Sequence, residues 1–145
     1  MSNIEDFLTH EEEQEIIDTI RIAERNTSGE IRIHLERTCQ GDIFQHAVEV
    51  FHFLKMDNTS LRNGVLIYIA LDKKTLVIYG DKGINEKVDD SFWESTKDLI
   101  LSHFKKNAFK EGLIQGVLKA GKMLEAYFPW DHGDINELDN TISKG

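Results

Sequence analysis

The chain has 145 residues, 26 acidic against 17 basic, giving a formal net charge of −9, and it holds one cysteine. A single domain of this length buries about 70% of its unfolded surface and needs no disulfide. The acidic excess argues against nonspecific nucleic-acid binding, which requires clustered Lys and Arg, and makes cations the natural partners.

Residues 1–8 read as an N-terminal arm, 9–129 as the folded domain and 130–145 as an acidic tail, partly disordered. The opening MSNIEDFLTHEEEQ is acidic and has no apolar core, so it is neither a signal peptide nor an anchor. No later apolar run approaches the roughly 20 residues of a membrane span. Because Cys39 cannot bridge within the chain, a cytoplasmic location without membrane insertion is expected.

Thr9 and Glu12 have the spacing of a capping box, which opens a first helix with Ile16, Ile17, Ile20 and Ala23 on its apolar face. Asn26-Thr27-Ser28-Gly29 ends it. Glu30 to Arg37 alternates polar and apolar, as a strand with Ile31, Ile33 and Leu35 inward would. After the turn Thr38-Cys39-Gln40-Gly41, Asp42 can cap a second helix whose Phe44, Ala47, Val48, Phe51 and Leu54 form one stripe. The polar loop Asp57 to Arg62 leads into the apolar run Val65 to Leu71, so residues 30–71 form a parallel strand-helix-strand unit. Asp72-Lys73-Lys74 then turns the chain into an antiparallel strand over about residues 75–80. The unbroken apolar run marks its strand as central and covered on both faces.

Beyond the Gly80 to Val88 loop, Asp89 or Asp90 can cap a third helix carrying Phe92, Thr96, Leu99 and Ile100. A fourth begins near Phe109, with Gly112 and Gly116 spaced to keep one surface small for close packing, and Pro129 ends it. The class is α/β: a small mixed sheet flanked by about four helices.

These connections gather Ser28-Gly29, Asp57 to Asn63, Gly80 to Asp90 and the residues after Pro129 at one end of the sheet. Glu30, Asp57, Asp81, Glu86, Asp89, Asp90, Asp131 and Asp134 thus become candidates for one neighbourhood. Mutual repulsion there favours raised pKa values or a bound divalent cation, and the oxygen ligands fit calcium or magnesium better than zinc. At the opposite end, the start of the second helix with Lys73 and Lys74 forms a weak candidate anion site, which Asp42 opposes. Cys39 reads as an idle thiol and the trio His46, Glu49 and His52 as surface residues. No phosphate-binding loop, serine elbow, zinc signature or dinucleotide fingerprint occurs.

As a set, Thr9 with its helix, Ser28-Gly29-Glu30, Asn63-Gly64-Val65-Leu66, Gly80-Asp81-Lys82-Gly83-Ile84 and Phe109-Lys110-Glu111-Gly112-Leu113 through Gly116 resembles the TPM domain family. That family includes thylakoid-lumen proteins linked to photosystem repair and many bacterial relatives. Trp93, Tyr127-Phe128-Pro129 and Asn136-Glu137-Leu138 are similar to its compact soluble bacterial branch. The resemblance implies a three-layer α/β/α sandwich, divalent-cation binding in some members and an acid phosphatase activity ascribed to the plant type.

Combined with the acidic loops, it points first to a calcium or magnesium site. The ligands would be Asp81, Asp89 or Asp90, Asp57 and Glu30, with Asn63 assisting, and no organic cofactor is expected. A metal-assisted phosphatase at the same edge is the alternative, with Arg62 or Lys82 offsetting phosphoryl charge. A third reading is a protein-interaction module, in protein assembly or quality control, whose acidic edge serves a protein partner.

Overall fold

The structure is a computed structural model and describes residues 7–89, 91–130 and 140–144. Helix α1 (His10–Glu24) starts at the expected capping box: Glu12 N donates to Thr9 Oγ1 at 3.1 Å, and Thr9 N donates to Glu12 Oε1 at 2.9 Å. Strand β1 (Glu30–Glu36) leads to α2 (Ile43–Phe53), where the Asp42 carboxylate accepts from Phe44 N at 3.0 Å. Strands β2 (Gly64–Ala70) and β3 (Thr75–Gly80) form the hairpin. A one-turn helix α3 (Lys82–Asn85), then α4 (Glu94–Phe104) and α5 (Phe109–Tyr127), complete the helices, and a short strand β4 (Ser143–Lys144) follows.

The sheet order is β3-β2-β1-β4, with β2–β3 antiparallel and β1 parallel to both β2 and β4. Every residue of β2 is buried, as its continuous apolar run requires. The strand's pleat divides the core in two. Val65, Ile67 and Ile69 join Ile16 and Ile20 of α1, Ile100 of α4 and Leu113 and Val117 of α5, whereas Leu66, Tyr68 and Ala70 join Ala47, Val50 and Phe51 of α2. The result is the three-layer α/β/α arrangement around a mixed sheet.

The small surface of α5 has the expected use. A Cβ on Gly112 would lie 2.8 Å from His103 Cβ, and one on Gly116 would lie 2.5 Å from Ile100, both on α4.

Two local expectations are corrected. The Gly80 to Val88 loop holds α3, because the Asp81 carboxylate accepts from Lys82 N at 2.7 Å and nucleates a turn. Helix α4 starts at Glu94 rather than near Asp89: Asp89 Oδ1 instead accepts from the N and Oγ of Ser91, and Phe92 stacks edge-on with both Trp93 and Tyr127, holding this stretch as a turn. At the N-terminus, Leu8 is buried and Phe7 packs on Phe104 and Phe109, so the core reaches into the expected arm.

In the tail, Ser143 and Lys144 pair with His34 and Leu35 of β1. Their pairing adds a strand that composition does not announce. Partial disorder is expected over the whole tail, residues 130–145, of which 131–139 and 145 lie outside the described residues.

Candidate functional site

The loop end of the sheet lies at the amino ends of β1 and β2, and backbone hydrogen bonds bring the expected segments together there. Glu30 N donates to Asn63 O at 3.3 Å, Asp81 N to Gly64 O at 2.9 Å and Gly83 N to Arg62 O at 2.8 Å. Ser28 N donates to Phe128 O at 2.9 Å, and Thr27 bridges to Pro129, which brings in the end of α5. These segments meet through their backbones, and their side chains sort into two groups.

The first group is an ion pair. Arg62 adopts φ 51°, and from that left-handed position its Nε and Nη2 reach both oxygens of Asp81 at 2.8 and 3.1 Å. Asp81 is buried, and its Oδ1 also caps α3. The Asp81 hydrogen bonds hold the Arg62 guanidinium still more firmly in its charged form, and Asp57 adds to this from farther away. Burial first, then the Asp81 charge, pushes the neighbouring Tyr79 phenol up. Asp57 itself also faces His52, at 3.6 Å. Lys82 is exposed and contributes its backbone N–H to the Asp81 cap.

The second group holds two carboxyls, the half-buried Glu24, which inspection of the loops overlooks, and the buried Glu30. Glu24, in the last turn of α1, accepts from Ile31 N at 2.8 Å, which sets it at the start of β1 beside Glu30. Burial above all pushes the Glu24 carboxyl up to about 8; the Ile31 hydrogen bond opposes this, and the Glu30 charge adds to it. Glu30 and Asn63 are 3% and 1% exposed, and Asn63 Nδ2 donates to Ser28 Oγ at 3.3 Å. A signal for Glu24 was present in the sequence: it continues the Ile16, Ile20 spacing by four, so it places a carboxylate on an apolar stripe.

Of the expected ligands, Glu30 and Asn63 therefore sit together, Asp81 is committed to Arg62, and Asp89 sits apart on a cleft beside Trp93. Asp90, Asp131 and Asp134 lie outside the described residues. Among the described residues, no group of three or more His, Cys, Asp or Glu side chains converges as a metal cluster would. At the opposite end of the sheet, Cys39 is buried and Asp42 is used as a cap. His46 pairs with Glu36 and Glu49, and His52 with Asp57, so those histidines serve separate carboxylates. No helix among the described residues is long and apolar enough to cross a membrane.

A mixed sheet between helical layers, with an Arg–Asp pair and buried carboxyls at the amino end of its parallel strands, defines a small α/β sandwich domain. A TPM domain profile matches residues 2–123, and the chain belongs to that family. It is similar to the BA42 protein of the psychrophilic bacterium Bizionia argentinensis, whose structure was determined by NMR: 61% identity, 100% of both chains covered, TM-score 0.92. The N-terminal domain of a P. gingivalis protein, also solved by NMR, shares the fold at 19% identity and a TM-score of 0.70, over 84% of this chain and 79% of that one. Comparison with curated proteins gives no match.

Proposed function

We propose that this TPM domain binds a divalent cation, calcium or magnesium, at the amino end of β1, with Glu30, Asn63 and Glu24 as its central oxygen donors. The carrying observation is the placement of the half-buried Glu24, which accepts from Ile31 N at 2.8 Å next to the buried Glu30, where burial first and the Glu30 charge after it raise its carboxyl pKa to about 8. A dication supplies the charge that the proton otherwise supplies. Hard oxygen donors, completed by backbone carbonyls and water, suit calcium and magnesium. The net charge of −9 attracts cations over longer range.

Asp81 contributes indirectly, by fixing Arg62 and thereby the loop that carries Asn63. Arg62, the cation a phosphatase would use to offset phosphoryl charge, is already paired with Asp81, which favours binding over catalysis.

The test is an amide NMR titration of the wild type and Glu24→Gln with calcium and with magnesium chloride. Saturable shifts at residues 24, 28–31 and 62–64, weakened at least tenfold in the variant, are expected on the order of one lost charged ligand. Shifts that are absent, or that centre on residues 38–42, overturn the proposal.

A further inference from the structure

The sheet has two edges, and the protein treats them differently. The β1 edge carries β4 opposite His34 and Leu35, whereas β3 pairs with β2 alone among the described residues. An edge strand presents an unpaired row of N–H and C=O groups, which natural proteins usually blunt with charge, proline or a bulge. Within β3 the sequence is Thr-Leu-Val-Ile-Tyr-Gly, with neither charge nor proline, and Val77, Ile78 and Tyr79 are only partly buried.

Hollows line this strand at Thr75 and from Val77 to Gly80. Two that overlap, of about 300 and 330 Å³, share Phe44 of α2, Ile78, and Trp93 at the start of α4. A third, of about 430 Å³, lies at the other end of β3, against Lys74, Thr75 and Lys105. Phe44 is 52% exposed despite its aromatic ring, which packs on Tyr79 from one side only. Trp93 is 8% exposed, and its buried indole N–H has no hydrogen-bond partner among the described residues, although it stands against Gly80 at the floor of the cleft. A buried donor without an acceptor is costly and marks a place where an acceptor belongs.

The rim is also polarised. Lys74 and Lys105 stand at the Thr75 end, while Asp89 stands at the Gly80 end. A strand added antiparallel to β3 ends its own chain near Thr75, which places its carboxyl end beside the lysines and its amino end beside the aspartate. A parallel strand reverses both pairings.

We propose that the free edge of β3 is a peptide-docking groove for an extended segment antiparallel to β3, with an apolar side chain between Phe44 and Trp93 and an acidic carboxyl end at Lys74 and Lys105. The six residues of β3 span about 20 Å at roughly 3.3 Å each, so the segment is about six residues long. Main-chain pairing supplies affinity, and the Phe44–Trp93 hollow and the two lysines supply selection.

The probe is a six-residue peptide of alternating threonine and valine that ends in two glutamates and a free carboxylate. A control carries two lysines and an amidated end. Binding is followed by amide shifts over residues 75–80 and by the Trp93 indole N–H signal, told apart from that of Trp130 with Trp130→Phe. The acidic peptide should shift these signals and bind about three- to tenfold more tightly than the control.

Lys74→Glu combined with Lys105→Glu should reverse that preference, a rescue that loss of folding cannot imitate. Phe44→Ala, at an exposed ring, should weaken both peptides. Absent binding at millimolar peptide, equal affinity for both peptides, or shifts outside β3 overturn the proposal. So does concentration-dependent shifting of residues 75–80 without peptide, which would give the edge to a second copy of the chain.

Discussion

A Cβ on Gly83 would stand 2.1 Å from the carbonyl oxygen of Leu61 and 2.6 Å from that of Arg62, and neither atom belongs to a side chain that can move aside. Gly83 is where the segment after β3 presses onto the loop before β2, and its N–H donates to Arg62 O. Gly83→Ala should therefore cost about 1–3 kcal/mol by urea unfolding, as overpacking does, and should also disturb the Arg62–Asp81 pair.

Glu24 gives a pH signature. Its folded pKa, raised to about 8 from 4.5, means that the unfolded chain binds fewer protons between those values, so the group's contribution is complete below pH 4.5 and declines as pH rises towards 8. In cation-free buffer, Glu24→Gln should gain stability over wild type progressively from pH 5 to 8, roughly following that titration. A constant difference between the two proteins across the range would contradict a raised Glu24 pKa. Neither residue is conspicuous by type: Gly83 is one glycine among 10, and Glu24 one acid among 26. Only their neighbours single them out.

At the scale of elements, β4 shows how a two-residue strand is held. Its backbone pairs with β1, Ser143 Oγ lies 2.9 Å from His34 Nδ1, and Lys144 forms an ion pair with Glu13 of α1. Burial lowers the His34 pKa, so the ring is neutral near pH 7. Glu36, 3.2 Å from Nε2, accepts from that nitrogen and leaves Nδ1 to accept from Ser143. Ser143→Ala removes that donor and should cost about 1 kcal/mol, with faster hydrogen exchange at residues 143–144 and along the β1 edge. Unchanged exchange would mean that backbone pairing and the Lys144 ion pair suffice.

The elements differ in how openly the chain declares them. Helices α1 and α2 announce themselves because their caps are local, through Thr9 with Glu12 and through Asp42. The start of α4 does not. Asp89 is as good a cap by type, but the packing of Phe92 against Trp93 and against Tyr127, distant in sequence, moves the helix start to Glu94.

For the whole molecule, alternation along β2 puts one set of side chains towards α1, α4 and α5 and the other towards α2, and that division turns a hairpin into the middle layer of a sandwich. Among the described residues it also leaves one sheet edge paired with β4 and the other, at β3, unpaired, separate from the carboxyl groups at the amino end of the parallel strands. The sequence by itself determined the α/β class, the parallel unit, the central hairpin and the loops that share an end of the sheet, because periodicity, caps and turns act over a few residues and connectivity does the rest. Tertiary structure alone decided which carboxylates meet. Loops that share an end still direct their side chains separately, so Asp81 turned to Arg62 and Asp89 to Ser91, while Glu24 reached the site from a helix.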